Sequence, residues 1–257
     1  MAFGLIIIGD EILSGKRSDK HLPKVIELLG ERGLQLAWAE VVGDDPERIT
    51  ALLRRSFAGP DIVFSCGGIG ATPDDHTRQC AAAALGVPLA LHPEGKRLVQ
   101  ERIRETAPDA DLDAPENLQR LKMAEFPQGA GLIPNPYNRI PGFTVADHHF
   151  VPGFPVMAWP MIAWVLDTHY AHLFHAQARA EQAVLVFEQA ESTLTPLMER
   201  LEARYPGIRV FSLPSVGDAQ TRRHIELGVK GDPEQVAPAF ADLRAALDAL
   251  GAEVEPA

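Results

Sequence analysis

The glycine-rich stretch that decides the fold reads Gly67-Gly68-Ile69-Gly70-Ala71-Thr72-Pro73-Asp74-Asp75. A short apolar run at residues 62–65 precedes it, and an amphipathic run at residues 78–85 follows it. An apolar strand that leads through a glycine-rich turn into a helix is typical of α/β proteins with parallel sheets. Because glycine lets the backbone approach a ligand closely, the same stretch predicts a binding loop.

The same alternation extends towards the N-terminus. Two further strands are predicted at residues 5–8 and 36–42, and two further helices at residues 22–29 and 49–57. The order βαβαβα predicts a three-layer αβα domain with a mostly parallel sheet and right-handed crossovers. Ligands of such domains bind beyond the carboxyl ends of the strands.

The middle of the chain is less regular. Residues 92–122 predict a helical insertion in which three prolines mark helix starts or breaks, namely Pro93, Pro108 and Pro115. Residues 127–160 are rich in proline and glycine, with short strands predicted at residues 142–145 and 148–151. The apolar run at residues 154–166 is too short to span a bilayer, so it predicts a core helix.

The pattern changes near residues 177–182, which predicts a boundary between two domains, residues 1–176 and 177–257. The second domain is expected to be a small α+β module of order βαββα. Its predicted elements are a strand at 183–187, a helix at 193–204, strands at 208–213 and 223–229, and a helix at 233–250.

Charge and cysteine content exclude several classes of protein. A formal net charge of -11 disfavours nucleic acid and anionic membranes as partners. Cys66 and Cys80 are too few for a disulfide framework and too far apart for a CxxC pair. The apolar start at residues 3–8 lacks the basic region of a signal peptide, so we expect a cytoplasmic location.

Acidic residues follow a glycine after the first two predicted strands, in Gly9-Asp10-Glu11 and Gly43-Asp44-Asp45. With the glycine-rich stretch, these segments should meet at one edge of a parallel sheet. An alternative remains open for each segment, because Gly-Asp pairs are common in turns.

The end of the glycine-rich stretch suits the start of a helix. Thr72 is a good N-cap and Pro73 a good first helical residue, which predicts a helix N-terminus that attracts anions. Asp74 and Asp75 either complement the helix dipole or hold a divalent cation such as Mg²⁺ together with Asp10, Glu11 or Asp44. Such a cation would bridge the carboxylates to a phosphate or pyrophosphate.

Other motifs give less information about function. Neither a Walker A sequence nor a Rossmann GxGxxG after the first strand is present. Lys16 either contacts phosphate or is a solvated charge. His148 and His149 would point to opposite faces of a strand, which disfavours a shared metal site.

A family resemblance rests on several ordered motifs. The stretch from Gly67 to Thr77 resembles the GGxGxTxxDxT signature of MoaB/Mog molybdopterin-binding domains. Gly9-Asp10-Glu11-Ile12-Leu13-Ser14-Gly15-Lys16 is similar to the opening motif of the CinA-like branch. The later loops of that branch resemble Pro134-Asn135-Pro136, Pro141-Gly142-Phe143 and Val151-Pro152-Gly153-Phe154-Pro155.

The resemblance covers roughly residues 3–170, and the remainder resembles the small domain that follows in CinA-like proteins. His21 stands where these relatives commonly have Asn, and Ala71 stands where they usually have Pro. The nicotinamide-nucleotide amidase domain of full-length CinA proteins has no counterpart in the sequence, so we expect no amidase activity.

The resemblance implies a molybdopterin-type ligand and, for some CinA-like relatives, metal-dependent cleavage of a dinucleotide pyrophosphate such as ADP-ribose or FAD. The rival expectation is a non-catalytic binding or carrier protein of molybdenum cofactor metabolism. A second domain that serves in protein interaction or nucleic-acid binding has less support. A homo-oligomer is expected. The expected catalytic residues are Asp44, Asp74 and Asp75, and the expected metal ligands are Asp10, Glu11 and Asp74. The expected ligand-binding residues are Gly9, Gly15, Lys16, Gly67, Gly68, Gly70, Thr72, Thr77, Asn135, Pro141, Gly142 and Gly153.

Overall fold

The computed structural model describes residues 2–176, 180–218 and 221–257. The chain divides into two compact units, Met1–Ala176 and Gln177–Ala257. The predicted boundary at residues 177–182 begins at residues 177–179, which lie outside the described residues. No helix in the described part of the chain is long and apolar enough to cross a membrane.

The first unit contains eight strands and seven helices in its described residues. The strands are β1 (Phe3–Ile8), β2 (Leu36–Val42), β3 (Ile62–Cys66), β4 (Leu89–Leu91), β5 (Glu125–Pro127), β6 (Gly131–Ile133), β7 (Gly142–Val145) and β8 (His148–Val151). The helices are α1 (Asp10–Leu13), α2 (His21–Gly30), α3 (Pro46–Phe57), α4 (Thr77–Leu85), α5 (Pro93–Thr106), α6 (Pro115–Leu121) and α7 (Pro155–His169). Two 3₁₀ turns are Lys122–Ala124 and Ala171–Leu173.

The main sheet has the order β2-β1-β3-β8-β7-β6. Strands β2, β1, β3 and β8 run parallel, whereas β7 pairs antiparallel with both β8 and β6. The prediction of a mostly parallel sheet is therefore confirmed. Strands β4 and β5, which were not predicted, form a separate antiparallel pair.

The three layers follow from the alternation of side chains along the fully buried strand β1. Leu5 and Ile7 pack in a core with residues of α2 and α7, and Ile6 and Ile8 pack in a second core with residues of α3 and α4. Successive side chains of a strand point to opposite faces, so a central strand covered by helices on both sides is apolar throughout. The run predicted as a core helix is α7, whose residues Met161, Ile162 and Val165 are fully buried.

The prediction for the start of α4 is wrong. The helix begins at Thr77 rather than Pro73, and Thr72 does not cap it. The Asp75 side chain instead accepts hydrogen bonds from the Thr72 amide and hydroxyl, and the Asp75 amide donates to the Thr72 carbonyl. These three bonds close a turn, so the first helical residue comes four positions later than predicted.

The second unit consists of β9 (Ala180–Phe187), α8 (Glu191–Arg204), β10 (Ile208–Ser215), β11 (His224–Gly231), α9 (Pro233–Ala249) and β12 (Val254–Pro256). Its antiparallel sheet has the order β10-β11-β9-β12, and buried leucines of α8 and α9 share one core with it. The predicted order βαββα is present. The prediction missed β12, which pairs with β9 over only three residues.

Candidate functional site

The carboxyl ends of β1, β2 and β3 meet at one cavity of about 420 Å³ in the first unit. Each strand end contributes to the wall, as expected for a parallel sheet. The predicted site residues that line the cavity are Gly9, Glu11, Asp44, Gly67, Gly68, Gly70, Thr72, Asp74, Asp75, Asn135, Pro141 and Gly153.

Five predicted site residues do not line the cavity. Gly15 and Lys16 are exposed on the turn after α1, and Asp10 is exposed beside the wall, where it contacts Asp44. Thr77 is buried behind the glycine-rich stretch. Gly142 is needed for packing, since a Cβ there would lie 2.3 Å from the Phe150 carbonyl oxygen.

We call residues 67–72 the glycine loop. Its first two residues have positive φ angles, +113° at Gly67 and +66° at Gly68. A Cβ on Gly67 would lie 2.2 Å from the Ile8 carbonyl oxygen, so side chains are excluded by close packing as well as by backbone conformation. Thr77 holds the loop from behind, because its hydroxyl donates to the Gly67 carbonyl and its amide to the Gly68 carbonyl, each at 3.0 Å.

Four successive backbone amides of the glycine loop have no acceptor in the described part of the chain. They belong to Gly68, Ile69, Gly70 and Ala71, all of which line the cavity. Backbone amides are normally paired, and runs of unpaired ones form anion-binding concavities. The loop can therefore bind an anion such as phosphate.

The carboxylates in the wall differ in their surroundings. Asp44 is half-buried, and its pKa is raised mainly by burial and further by the negative charges of Asp10, Glu11 and Asp74, against a hydrogen bond from the Asp10 amide. Asp74 is exposed, and its pKa is lowered mainly by the polar Thr72 side chain beside it, whose hydroxyl proton goes to Asp75, and further by its own backbone amide. Asp74 is therefore the more firmly ionised of the two.

Each acidic pair that the sequence left ambiguous divides into two roles. Asp45 caps α3, since it accepts from the Glu47 and Arg48 amides at 2.9 Å each, and Asp44 is left at the cavity. Asp75 closes the turn with Thr72, while Asp74 stays exposed. One member of each pair thus has a structural role, Asp45 as a helix cap and Asp75 in a turn.

The cavity wall contains a basic residue, Arg17, that was not among the predicted site residues. Arg17 lines the cavity, and no described residue forms an ion pair with it. Its amide donates to the Glu11 carbonyl, which closes the turn that carries both Lys16 and Arg17. Two adjacent basic residues in one turn give no sequence signal for which side chain faces the ligand.

The wall also has an apolar part, which the sequence did not predict. Its side chains come from β1, from the 3₁₀ turn after α6, from the loop before β7 and from the start of α7: Ile8, Met123, Ile140, Phe154 and Met157. Apolar side chains beside a few polar groups are typical of small-molecule sites. The cavity can therefore take a ligand that joins a ring to an anionic group.

His21 braces the wall at the position where the resemblance leads us to expect Asn. The ring is buried, and its Nε2 lies 3.0 Å from the Gly153 carbonyl oxygen, within reach for N–H donation. Asp19 accepts hydrogen bonds from the His21 and Leu22 amides and so holds the start of α2. His21, although it departs from the family pattern, thus still anchors Gly153 in the cavity wall.

The expected metal ligands do not form a complete cage. No group of three or more His, Cys, Asp or Glu side chains within residues 2–176, 180–218 and 221–257 is placed to hold a metal ion. The carboxylate oxygens at the cavity are nevertheless the donors that Mg²⁺ prefers, and Mg²⁺ commonly takes its other ligands from water and substrate phosphates. The donor chemistry therefore fits a cation that binds together with a phosphate.

These features define a class, the α/β domains that bind a small anionic ligand at the strand ends of a parallel sheet. The family model described as "Probable molybdopterin binding domain" matches residues 4–172, which is more than half of the chain. The chain belongs to this molybdopterin-binding domain family, and the predicted family is confirmed.

CinA-like proteins are among its relatives. The CinA-like protein of Anaeromyxobacter dehalogenans (strain 2CP-C) is 33% identical over 218 residues, which cover 81% of this chain and 51% of that protein. The CinA-like protein of Anaeromyxobacter sp. (strain Fw109-5) is 30% identical over 246 residues, which cover 88% of this chain and 58% of that protein. The chain thus spans between half and three fifths of the length of these curated relatives.

A solved structure supports the fold. The protein CinA of unknown function from Thermoplasma acidophilum superposes with a TM-score of 0.56 at 26% identity, covering 65% of this chain and 98% of that one. The expected homo-oligomer and cytoplasmic location stay predictions.

Proposed function

We propose that the cavity binds a pterin or a nucleotide that carries a phosphate or pyrophosphate, and that the protein hydrolyses the pyrophosphate of ADP-ribose or FAD with a divalent cation. The observation that supports this is that one cavity wall contains both carboxylates and backbone amides that have no acceptor among the described residues. The amides attract a phosphate, whereas the carboxylates repel it. A cation between carboxylate and phosphate removes that repulsion.

The two differing carboxylates suit two different tasks, because environments that push pKa values apart separate acid–base roles. Asp44, with its raised pKa, takes a proton from the attacking water. The water oxygen bonds to one phosphorus as the bridging P–O bond breaks, and the second phosphate leaves as an anion. ADP-ribose would thus give AMP and ribose 5-phosphate.

One or two of the expected ligands Asp10, Glu11 and Asp74 would hold the divalent cation together with water and phosphate oxygens, and the cation when bound would offset the negative charge of the phosphate. The firmly ionised Asp74 suits this task, since a cation ligand must be deprotonated. The loop amides and Arg17 bind the remaining phosphate oxygens. The apolar part of the wall, with Phe154 and Met157, orients the ring of the ligand.

Incubation with ADP-ribose or FAD in the presence of Mg²⁺, Mn²⁺ or Co²⁺ tests the hydrolase directly. We expect AMP to form with at least one pair, and Asp44→Asn to slow its formation about 100-fold or more while Asp45→Asn leaves it unchanged. A lack of AMP with every pair would rule out the hydrolase.

A non-catalytic carrier is the second candidate, favoured by the engagement of Asp75 with Thr72 and by the incomplete cation cage among the described residues. Such a carrier would bind molybdopterin in calorimetry and release it unchanged. Asp44→Asn would then change the affinity for molybdopterin, and neither the wild type nor the variant would show turnover.

A further inference from the structure

Arg78 joins the glycine loop to the insertion that contains α5 and α6. Its side chain is only 2% exposed. Its Nη2 donates to the Gly70 carbonyl at 2.6 Å, and its Nη1 donates to the carbonyls of Lys122 and Glu125. One guanidinium therefore ties together two segments that both contribute to the cavity wall, since Met123 lies next to Lys122.

Carbonyl oxygens, rather than a carboxylate, surround the buried charge of Arg78. No described carboxylate forms an ion pair with Arg78, and its Nε has no hydrogen-bond partner among the described residues. Burial lowers its pKa, partly offset by the charges of Glu125 and Asp75. A buried charge without a carboxylate partner is unfavourable compared with an apolar side chain of similar volume.

The hydrogen bonds of Arg78 and Gln119 set the direction of two successive peptides. Arg78 binds the carbonyl of Gly70, and Gln119 of α6 donates from Nε2 to the carbonyl of Ala71 at 2.7 Å. In a planar trans peptide the carbonyl and the following amide point in opposite directions. The Ala71 amide therefore points away from Arg78, and the Thr72 amide away from Gln119 and onto the Asp75 carboxylate.

We propose that Arg78 is the positioning residue of the glycine loop, and that the insertion serves to hold the loop in its ligand-binding shape through Arg78 and Gln119. The buried charge also attracts the anionic part of the ligand through the loop. The effect on affinity rests on the proposed function, because it takes the ligand to be a phosphate ester. The effect on loop order does not.

The test uses the full chain and five proteins: wild type, Arg78→Met, Arg78→Lys, Gln119→Met and Arg32→Met. Calorimetry with ADP-ribose and Mg²⁺ measures affinity. Loop order is measured by NMR amide exchange at Thr72, whose amide donates to Asp75, and at Asp75 and Thr77, whose amides donate to carbonyls of the glycine loop. Arg32 is the matched control, because it pairs with Asp167 and does not line the cavity.

Arg78→Met is expected to bind about tenfold more weakly or worse, as for the loss of a charged hydrogen-bonding group. Arg78→Lys keeps the charge but not the two guanidinium nitrogens that bond to separate segments. It should recover part of the affinity and little of the amide protection. Gln119 is exposed, so Gln119→Met should fold normally and still speed exchange at Thr72. Arg32→Met should lower stability and change neither readout.

Unchanged affinity and unchanged exchange in Arg78→Met would overturn the proposal. If that variant does not fold, Arg78→Lys and Gln119→Met decide, and normal loop exchange in both would overturn it. If wild type does not bind ADP-ribose, the proposed function loses its support, while the exchange rates still decide the role of Arg78.

Discussion

Asp10 and Asp44 hold each other in place through their backbones. The Asp10 amide donates to Oδ2 of Asp44 at 2.9 Å, and the Asp44 amide donates to Oδ1 of Asp10 at 3.2 Å. Gly43 makes the arrangement possible, since a Cβ there would lie 2.2 Å from the Asp10 Oδ1 atom. Two like charges are thus kept side by side at the ends of neighbouring strands, where an isolated pair would separate.

Asp44→Asn should lower ADP-ribose turnover about 100-fold or more, the usual effect of removing a general base. Stability should not fall, because the amide oxygen still accepts the Asp10 N–H and the repulsion from Glu11 and Asp74 is removed. Product analysis and urea unfolding measure the two effects. Asp45→Asn is the control, since Asn caps a helix as well as Asp does. Equal loss of turnover in both variants would contradict the role of Asp44.

Gly67→Ala should destabilise the protein by roughly 3 kcal/mol or more, because the new methyl group meets the Ile8 carbonyl of a central strand. Gly129→Ala separates this clash from backbone strain. Gly129 also has a positive φ, +88°, but a Cβ there would meet nothing within 4 Å. Its replacement should cost about 1 kcal/mol. Similar unfolding free energies for the two variants would show that Gly67 is not sterically required.

Thr77→Val should cost about 1 to 2 kcal/mol of unfolding free energy, because the buried Gly67 carbonyl loses the hydroxyl that bonds to it. The volume of the side chain is nearly unchanged. Thr106→Val is the matched control, since this exposed hydroxyl bonds only to carbonyls of its own helix, those of Arg102 and Ile103. Urea unfolding should show almost no change for the control, and an equal cost at both sites would refute the argument.

His149 should make the protein lose stability in acid. Its ring lies between Thr144 and Tyr170, and burial, with the nearby His169 and His148, lowers its pKa to about 3. The unfolded chain takes up a proton below the ordinary value of 6.5, whereas the native ring stays neutral until about pH 3. The contribution is therefore complete above pH 6.5 and is lost as the pH falls towards 3.

His149→Gln should flatten this dependence by about 1.4 kcal/mol for each pH unit below 6, whatever its effect on stability at neutral pH. Urea unfolding from pH 4 to 7.5 gives the slope. The exposed His172 provides the control variant His172→Gln, which should keep the wild-type slope. The same slope for all three proteins would exclude His149 as the source.

Much of the fold is predictable because the hydrophobic pattern of a single strand indicates which of its faces are buried. Residues 3–8 are apolar throughout, which indicates a strand covered on both faces, and the structure places Ile6 and Ile7 in different cores. Strand β12 has no such signal, because its three residues are defined by backbone pairing with β9. Pairing of that kind depends on distant residues and leaves no periodic pattern.

The start of α4 shows where local rules fail. Thr72 and Pro73 satisfy the rules for a helix start, but Asp75 binds Thr72 and the helix begins with Thr77, whose hydroxyl bonds to Gly67. The choice between cap and turn depends on contacts ten residues apart. The site segments could be predicted, since strand ends converge in any parallel sheet, but which side chain of each segment faces the ligand could not.

The adjacent residues Lys16 and Arg17 allow a test of which side chain of a site segment binds the ligand. Of the two, only Arg17 lines the cavity, so Arg17→Gln should weaken ADP-ribose binding about fivefold to tenfold, as for the loss of one charged contact to the ligand. Lys16→Gln removes the same charge one residue away and should change the affinity by less than about twofold, because Lys16 does not line the cavity and solvent and salt screen its charge. Calorimetry at 50 mM and 300 mM salt, both chosen for the assay, should show a weaker salt dependence for Arg17→Gln alone. A larger effect of Lys16→Gln would show that Lys16 rather than Arg17 binds the phosphate, and would contradict the role proposed for Arg17.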